Sequence, residues 1–449
     1  MSSREFLNRR VTVMGLGTFG GGVGAVRFLV QRGAIVTVTD LRAADELAEP
    51  MAQLADTQPA AWHLGGHRDE DFRDADLLVV SPAVPKEASH LRMAREAGIP
   101  ITSEMNLFWE HNRGRTVCVT GSNGKSTTTA LTHALLSAAI SAGDVAARRC
   151  WLGGNIGKSL LPDVDEISPD DWVVLELSSF QLEDLAELKP APDVAVVTNF
   201  SPNHLDRHGT VEAYRAVKQN LLRWQTPAQI AVLNQDDPDV SRWPTAAKTF
   251  WFGARADGFD QKLLREWLPL PGEHNLRNAQ AAAYVALALG AKPDSIRRGL
   301  HEFQPLPHRL QFVGEHLGRR FYNDSKATTP EAVQLALASF DAPIVLLAGG
   351  YDKGIDLSPM AHAIADRTKA VALFGQTATT LESLVRQFDL ASRVTIHRAA
   401  NLDEAFAWAN RQAVTGGIVL LSPGCASYDQ FQNYEQRGEA FIQEVRSLG

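Results

Sequence analysis

Short apolar runs alternate with longer amphipathic stretches along almost the whole chain. The apolar runs end at Gly, Ser, Asn or Asp, which is typical of strands that enter a turn, and the stretches between them carry apolar residues at helical spacing. Strands that alternate with helices in this way form parallel sheets whose faces the helices cover. The pattern therefore predicts the α/β class.

Three such series follow one another. The first contains RVTVMGLG, AIVTVTD and ADLLVVSP; the second contains VCVTGSNGKS, WVVLELSS, VAVVTNFS and IAVLNQDD; and the third contains FYNDS, PIVLLAGG, AVALFG, RVTIH and GIVLLSPG. Helices are predicted over 274–290 and 293–303, between the second and third series. We predict three α/β domains, over residues 1–102, 103–308 and 309–449.

The segment VCVTGSNGKSTTT contains the most specific chemical motif of the chain. A glycine-rich turn between a strand and a helix exposes backbone N–H groups to phosphate, Lys125 supplies positive charge, and the Ser126 hydroxyl is suited to Mg²⁺. Val119 stands where a generic phosphate loop has its first glycine. The motif predicts a nucleoside triphosphate site, and its residues are Gly121, Ser122, Asn123, Gly124, Lys125, Ser126 and Thr127.

Composition narrows the class of protein. The 449 residues are 45% hydrophobic and 21% charged, with a formal charge of −8, which is ordinary for a globular protein and gives no basic surface for nucleic acid. No long apolar run predicts a membrane span, and the first residues lack the apolar core of a signal peptide. Three widely spaced cysteines indicate neither a disulfide framework nor a zinc site, so we expect a cytoplasmic protein.

A second glycine motif lies near the beginning of the chain. Gly15, Gly17 and Gly20 follow the first strand, and Asp40 ends the next one. This is the dinucleotide fingerprint, and it is compatible with a nicotinamide or flavin cofactor, another nucleotide, or a purely structural turn. The further glycines at 21, 22 and 24 weaken a helix, unless a ligand approaches closely or the helix starts late.

Further candidates lie mainly where strands end. Glu176 closes WVVLE, where an acid can coordinate the Mg²⁺ of a bound nucleotide, and His204 lies on the loop after VAVV. Lys218, in AYRAVK, has the appearance of an ordinary surface lysine. For each of these residues an ordinary exposed position is the alternative.

Together, TGSNGKST, ELSSFQLE, NFSPNHLDRH, AYRAVK, GEHNLRNA, PHRL, NDSKAT, GGYDKG and LSPGCASYDQF resemble the Mur ligases, ATP-dependent amide-forming enzymes of peptidoglycan precursor synthesis. The resemblance covers nearly the whole chain and is greatest to the branch that adds D-glutamate to UDP-N-acetylmuramoyl-L-alanine. It implies a Rossmann-like N-terminal domain for the UDP-linked acceptor, a central P-loop ATPase-type domain for ATP, and a Rossmann-like C-terminal domain for D-glutamate. A monomer acting in the cytoplasm, without nucleic acid or membrane, is expected.

The resemblance also implies roles for individual residues. Ser126 and Glu176 would hold one Mg²⁺, and His204 and a carbamylated Lys218 a second. The residues expected to contact ATP outside the phosphate loop are Asn278, Arg309 and Asp324. Those expected to contact the acceptor are Thr18, Phe19, Asp40 and Asn155. Those expected at D-glutamate or the reacting carboxylate are Lys326, Thr328, Lys353, Ser427, Tyr428 and Tyr434.

The expected chemistry is phosphorylation of the acceptor carboxylate followed by attack of the D-glutamate amine, with Lys125, Glu176, His204, Lys218 and Lys326 as the catalytic set. No residue is assigned as the base, because His204 as a metal ligand has no free lone pair on the same nitrogen. Departures from the family pattern at Thr329, Tyr434 and the glycine run affect substrate contacts. The alternatives are another Mur-type or folylpolyglutamate-type ligase, a catalytically silent relative, and an NAD-dependent oxidoreductase.

Overall fold

The computed structural model describes residues 5–17, 20–254 and 261–449. Thr18 and Phe19, expected at the acceptor, lie outside the described residues. Two compact units form: Met1–Leu264 with Asn278–Glu302, and Arg265–Arg277 with Phe303–Gly449. Three separate sheets lie within them, and the predicted domain boundaries stay a prediction.

The first sheet is parallel, with strand order β3-β2-β1-β4-β5. Its strands are β1 (Arg10–Met14), β2 (Ile35–Asp40), β3 (Ala61–Leu64), β4 (Leu77–Val80) and β5 (Ile101–Thr102), and the helices of this part of the chain are α1 (Gly21–Gln31), α2 (Ala48–Ala52), α3 (Glu70–Arg73), α4 (Ser89–Glu96) and α5 (Glu104–His111). Because β1 lies between β2 and β4, the glycine turn after β1 falls at the switch point of the sheet, where α/β folds bind ligands.

The glycine run after β1 has a packing explanation. Helix α1 begins at Gly21, so a late helix start is wrong. A Cβ on Gly22 would stand 2.7 Å from Leu16 Cα and overlap the Leu16 carbonyl group, and a Cβ on Gly24 would stand 2.6 Å from Ser159 Cβ. These two glycines therefore allow close approach of the chain to itself.

Alanine substitution at two neighbouring glycines separates packing from helix propensity. Gly22→Ala should lower the free energy of unfolding by about 2 kcal/mol, because its methyl group meets backbone that cannot move aside. Gly21→Ala should raise it by about 0.5–1 kcal/mol, since alanine favours the helix and the nearest atom, Glu104 Oε2, is 4.0 Å away. Urea unfolding of both variants measures the difference, and equal shifts would contradict the close approach.

The second sheet is parallel, with order β11-β10-β9-β6-β8-β7. Its strands are β6 (Arg115–Thr120), β7 (Cys150–Gly154), β8 (Trp172–Glu176), β9 (Val194–Val197), β10 (Ile230–Asn234) and β11 (Lys248–Phe252), and the helices along this stretch are α6 (Lys125–Ser141), α7 (Ser179–Leu185), α8 (Leu205–His208), α9 (Val211–Arg223), α10 (Gln261–Trp267), α11 (Glu273–Ala288) and α12 (Pro293–Glu302). One hydrophobic cluster joins Phe28 of α1 to Leu161 and Leu175, so the first two sheets share a core.

The third sheet has order β12-β13-β17-β14-β15-β16, with β12 antiparallel to β13 and the other pairs parallel. Its strands are β12 (Gln311–His316), β13 (Arg319–Asn323), β14 (Ile344–Gly349), β15 (Thr368–Phe374), β16 (Thr395–Arg398) and β17 (Ile418–Leu421), and its helices are α13 (Pro330–Leu337), α14 (Ser358–Arg367), α15 (Ala378–Phe388), α16 (Leu402–Gln412) and α17 (Tyr434–Arg446). Alternate residues of β14 enter two different hydrophobic clusters, as expected for a strand covered on both faces.

The predicted α/β class is confirmed by the three largely parallel sheets. The sequence pattern did not predict β7, β11 and β12, nor the edge strand β3. In β7 and β12 none of the residues except Gly153 is buried, so neither strand has the apolar run that marks a central strand. Edge strands pack on fewer neighbours, and β11, β7 and β12 are all edges.

Candidate active site

The phosphate loop connects β6 to α6 at the centre of the second sheet. Gly124 caps α6 with φ 78°, a left-handed conformation that favours glycine. The side chain of Asn278, from α11, also packs where a Cβ on Gly124 would lie. Lys125 Nζ donates to the carbonyl oxygens of Gly121 at 3.0 Å and Ser122 at 2.9 Å. The ammonium group is therefore held over the loop that it is predicted to serve.

Residues after β9 hold this loop in shape. The N–H of Asn123 donates to Asn199 Oδ1 at 2.8 Å, and Thr198 Oγ1 donates to the Asn123 carbonyl at 2.6 Å. Ser122 Oγ donates to the Ser201 carbonyl at 2.7 Å. Thr198 and Asn199 were not predicted from the sequence, because their position beside the loop depends on the pairing of β9 with β6 in the folded protein. The signal available in the sequence was that both are polar residues directly after a buried strand.

Glu176, at the end of β8, adjoins the loop. Its Oε1 accepts a hydrogen bond from Asn155 Nδ2 at 2.9 Å, while its Oε2 is buried and has no hydrogen-bond partner within the described part of the chain. A buried carboxylate oxygen without a donor fits a cation ligand. Asn155, expected at the UDP-sugar, thus contacts the carboxylate expected at Mg²⁺.

Lys218 is buried on α9, with 1% of its surface exposed. Its Nζ donates to the Gly121 carbonyl at 2.7 Å and lies 4.8 Å from the centroid of the Tyr214 ring. Burial, and next the charge of Lys125, lower the pKa of Lys218 well below its usual range. A lysine in this position is not the surface residue that its sequence context indicates.

His204 belongs to a cluster of rings beside Lys218. Its backbone is left-handed, with φ 53°, and its ring centroid lies 5.1 Å from Phe180 and 6.4 Å from Tyr214. Loss of solvation, followed by the charge of Lys125, lowers the pKa of His204, so the neutral, metal-binding form is favoured. His208 stacks on Phe180 with centroids 5.5 Å apart.

The residues expected to bind Mg²⁺ at this site are of four different chemical types. Ser126 lies in the first turn of α6 and is buried, so the expected donor set combines a hydroxyl, a carboxylate, an imidazole and a lysine. Among the described residues, no three His, Cys, Asp or Glu side chains come together as a metal site. The fit for Mg²⁺ therefore rests on Glu176 Oε2 and on chemical modification of Lys218.

Asp40 lies at the glycine turn of the first sheet. Its Oδ2 accepts from the Leu16 N–H at 3.0 Å, and Oδ1 accepts from the Arg42 N–H at 3.0 Å. Burial alone would raise the pKa of Asp40, but hydrogen bonds and charge from Arg42 outweigh it and lower that pKa. The carboxylate shapes the turn as well as being available to a ligand.

The C-terminal unit brings together a second set of predicted residues. Asp324 Oδ2 accepts from Ser422 Oγ at 2.8 Å, Oδ1 accepts from the Leu310 N–H at 3.1 Å, and burial raises the pKa of Asp324 to about 7. The charge of neighbouring Arg309 opposes that rise. Lys326 Nζ lies 5.2 Å from the ring centroid of Tyr434, the first residue of α17.

The remaining predicted residues of this unit differ in exposure. Ser427 is buried, Thr328 is half-buried, and Lys353 is exposed. Tyr428 is 66% exposed, and its ring centroid lies 6.1 Å from that of Tyr351.

Arg437 is a fully buried residue that the sequence analysis missed. Its guanidinium donates to Ser325 Oγ at 3.0 Å, to the Ser325 carbonyl at 2.8 Å, and to the carbonyls of Cys425 at 3.1 Å and Ala426 at 3.2 Å. It thereby ties the loop that carries Lys326 to the loop that carries Ser427. An arginine within an amphipathic helix carries no sequence signal for this role.

No helix of the described ranges is long and apolar enough to cross a membrane.

Family models match three successive parts of the chain. The Mur ligase MurD-like N-terminal domain matches residues 9–103, the Mur ligase middle domain matches 119–286, and the Mur ligase glutamate ligase domain matches 308–425.

Similar proteins span the full length. A UDP-N-acetylmuramoylalanine--D-glutamate ligase of Roseiflexus sp. is 41% identical over 99% of this chain and 100% of its own. The protein of the same name from Acidobacterium capsulatum is 39% identical, over 97% of this chain and 96% of its own.

Solved structures share the fold at lower identity. The UDP-N-acetylmuramate-alanine ligase MurC of Thermotoga maritima has a TM-score of 0.64 at 17% identity, covering 98% of this chain and 100% of that one. The MurF ligase of Thermotoga maritima in complex with ADP has a TM-score of 0.58 at 18% identity, covering 100% of this chain and 97% of that one.

Proposed function

The chain belongs to the Mur ligase family, and on that premise we propose that it is the ATP-dependent ligase that joins D-glutamate to UDP-N-acetylmuramoyl-L-alanine. The structural observation that carries the ATP chemistry is the phosphate loop with Lys125 beside the unpartnered oxygen of Glu176 and the buried Lys218. The choice of D-glutamate is supported by the names of relatives that match the whole chain. The oxidoreductase alternative is not retained, because the glycine motif on which it depended lies within the MurD-like N-terminal match. The folylpolyglutamate-type alternative is not retained, because the relatives that match the whole chain are named as D-glutamate ligases.

An amide cannot form from a free carboxylate and an amine without a leaving group. The acceptor carboxylate attacks the γ-phosphorus of ATP, and the bond between that phosphorus and the β,γ-bridging oxygen breaks. ADP departs, and the acceptor is now an acyl phosphate. The uncharged amine of D-glutamate then attacks the carbonyl carbon, the bond between that carbon and the phosphate oxygen breaks, phosphate leaves, and the nitrogen gives up one proton to a base that is not assigned. The protein's task is to position these groups and stabilise negative charge.

Residues around the second sheet, in the first unit, would act in the first step. Lys125 can turn its ammonium group from the loop carbonyls to the transferred phosphoryl group. Ser126 and Glu176 would hold one Mg²⁺, and His204 with carbamylated Lys218 a second. Mg²⁺ held by these residues would supply positive charge that offsets the charge of the phosphate oxygens. Asn278 packs against Gly124 of the loop, accepts a hydrogen bond from Thr128 Oγ1 on α6 at 3.2 Å, and would contact ATP.

The two other substrates are assigned to the flanking parts of the chain. Asp40 and Asn155, with Thr18 and Phe19, would bind the UDP-linked acceptor. The C-terminal unit would contact ATP through Arg309 and Asp324. Its residues for D-glutamate and the reacting carboxylate would be Lys326, Thr328, Lys353, Ser427, Tyr428 and Tyr434.

We further propose that the protein acts as a monomer in the cytoplasm, where ATP and nucleotide-linked precursors are available, without nucleic acid or membrane. The net charge of −8 supports the absence of a nucleic-acid partner. Light scattering of the purified protein tests the monomer.

The substrate assignment is tested by measuring phosphate release from ATP with UDP-N-acetylmuramoyl-L-alanine and one amino acid at a time. D-Glutamate should give a rate at least about 100-fold above L-glutamate, L-alanine or diaminopimelate, because a site built for hydrogen bonding rejects ligands that leave its polar groups unpaired. Reactions without the acceptor give the background rate. Equal rates with D- and L-glutamate would contradict the assignment.

A further inference from the structure

Arg207 links two distant parts of the chain within the first unit. From helix α8, its Nη2 donates to the carbonyl of Pro82 at 3.3 Å and to that of Val84 at 2.9 Å. Its guanidinium carbon also lies 5.3 Å from the centroid of the Phe180 ring. A planar guanidinium presents several donors in fixed directions, so it can bridge two carbonyls while packing on a ring. The loop after β4 and helix α8 are therefore joined through one side chain.

The two carbonyls belong to a loop that contacts the first glycine turn. The N–H of Ser81 donates to the Met14 carbonyl at 2.9 Å, and the N–H of Val84 donates to the Ser81 carbonyl at 3.0 Å. A Cβ on Gly15 would stand 2.9 Å from Ser81 Cβ, which places this loop directly against the turn. A ligand that fixes the turn will also restrict the carbonyls that Arg207 binds.

The other end of the link is the backbone of His204. The carbonyl of His204 accepts from the N–H groups of Arg207 at 3.1 Å and His208 at 2.9 Å, and these bonds close helix α8. His208 Nε2 lies 3.0 Å from Ser179 Oγ on α7. Helix α8 is thus attached to the first sheet by Arg207 and to the second by His208. The left-handed backbone of His204 is strained, and the main-chain bonds that close α8 help to hold it.

We propose that Arg207 is a positioning residue that makes the conformation of His204 depend on occupancy of the first glycine turn. The inference rests on the proposed function, in which that turn binds the UDP-linked acceptor and His204 binds metal. It follows that acceptor and metal–nucleotide strengthen each other's binding, because each favours the same arrangement of α8. Loss of the guanidinium should remove this coupling while leaving each site able to bind alone.

The test measures the affinity for Mn²⁺ with a non-hydrolysable ATP analogue, by electron paramagnetic resonance of free Mn²⁺, with and without saturating UDP-N-acetylmuramoyl-L-alanine. In the unmodified protein, the acceptor should tighten binding by roughly 5–10-fold, the lower part of the usual range for coupled sites. In Arg207→Met, the tightening should fall below about twofold, with the affinity measured without acceptor unchanged. Arg207→Lys, which keeps the charge but lacks the planar fork, should give an intermediate value.

Arg215→Met is the matched control. Arg215 is also half-buried, donates twice to Asp239 at 2.8 Å, and packs on Phe200, but it contacts neither the loop after β4 nor α8 in any hydrogen bond that the described residues make. It should retain the coupling. Coupling that survives in Arg207→Met, or that is lost equally in Arg215→Met, would overturn the inference. The ligation assay distinguishes failure of this inference from failure of the proposed function. If the unmodified protein ligates D-glutamate but the acceptor does not tighten Mn²⁺–nucleotide binding, only the inference is overturned. If it ligates nothing, the proposed function is overturned.

Discussion

Substituting Lys125 by alanine is expected to lower kcat for D-glutamate ligation by roughly 10³-fold. The lysine lies in the turn that is predicted to hold the triphosphate, and it is the cation best placed to meet charge that develops on the transferred phosphoryl group. In the structure its ammonium group is held by the carbonyls of Gly121 and Ser122, which are weak partners compared with a phosphate. The cost should therefore fall on the transition state more than on folding.

Initial rates of phosphate release measure this loss, and circular dichroism establishes that the variant is folded. The matched control is Lys292→Ala, which removes an exposed lysine paired with Asp144 at 3.0 Å in the same unit. Because exposed ion pairs contribute little, its rate should stay within about twofold of the original. A Lys125→Ala protein that kept more than about a tenth of its activity would show that the phosphate loop does not carry the chemistry.

Lys218→Ala should lower ligation by a similar factor, roughly 10²–10³-fold, and short carboxylates such as acetate or formate should restore part of it. The reason is the state of the amine: burial and the charge of Lys125 lower its pKa, so the uncharged form is available to add to CO₂. The nitrogen lone pair forms a bond to carbon, a proton leaves, and the product is a carbamate. This converts a group that cannot bind a cation into a carboxylate that can.

Initial rates at increasing carboxylate concentration measure the rescue. Lys125→Ala is the control, since a missing ammonium group cannot be replaced by an anion, and its activity should not respond. Carbon-13 NMR of the unmodified protein in labelled bicarbonate gives a second readout that is independent of turnover. A Lys218→Ala protein that was fully active without added carboxylate would contradict the carbamate.

Local chemistry accounts for what could be predicted from the sequence. Glycine and lysine directly after a buried strand are typical of phosphate binding, so the loop at 121–127 could be predicted from its residues alone. The alternation of strands and helices could be predicted from the spacing of apolar residues. The burial of a charged side chain could not be predicted in this way. Lys218 has the sequence context of a surface lysine, yet 1% of its surface is exposed because α9 packs on the second sheet.

Residues that act across the fold were missed for a related reason. Thr198 and Asn199 stabilise the phosphate loop only because β9 pairs with β6, and Arg207 reaches carbonyls more than 120 positions earlier in the chain. The glycine run predicts a ligand contact or a late helix start, whereas in the structure Gly22 and Gly24 accommodate Leu16 and Ser159. Helix propensity gives the free-energy cost of a glycine in a helix, but it does not identify the neighbouring residue whose close approach requires that glycine.

The contacts of Arg437 have a consequence for inhibitor resistance. Three of its four hydrogen bonds end on the main-chain carbonyls of Ser325, Cys425 and Ala426, which substitutions at those three positions leave in place, and the fourth ends on the Ser325 hydroxyl. Substitutions of the Cys425 and Ala426 side chains would therefore leave the two loops joined, and a compound that binds the backbone of those loops would keep its contacts. Escape would have to come from the side chains that line the loops, such as Thr328 and Ser427, and these are the residues on which D-glutamate itself would depend.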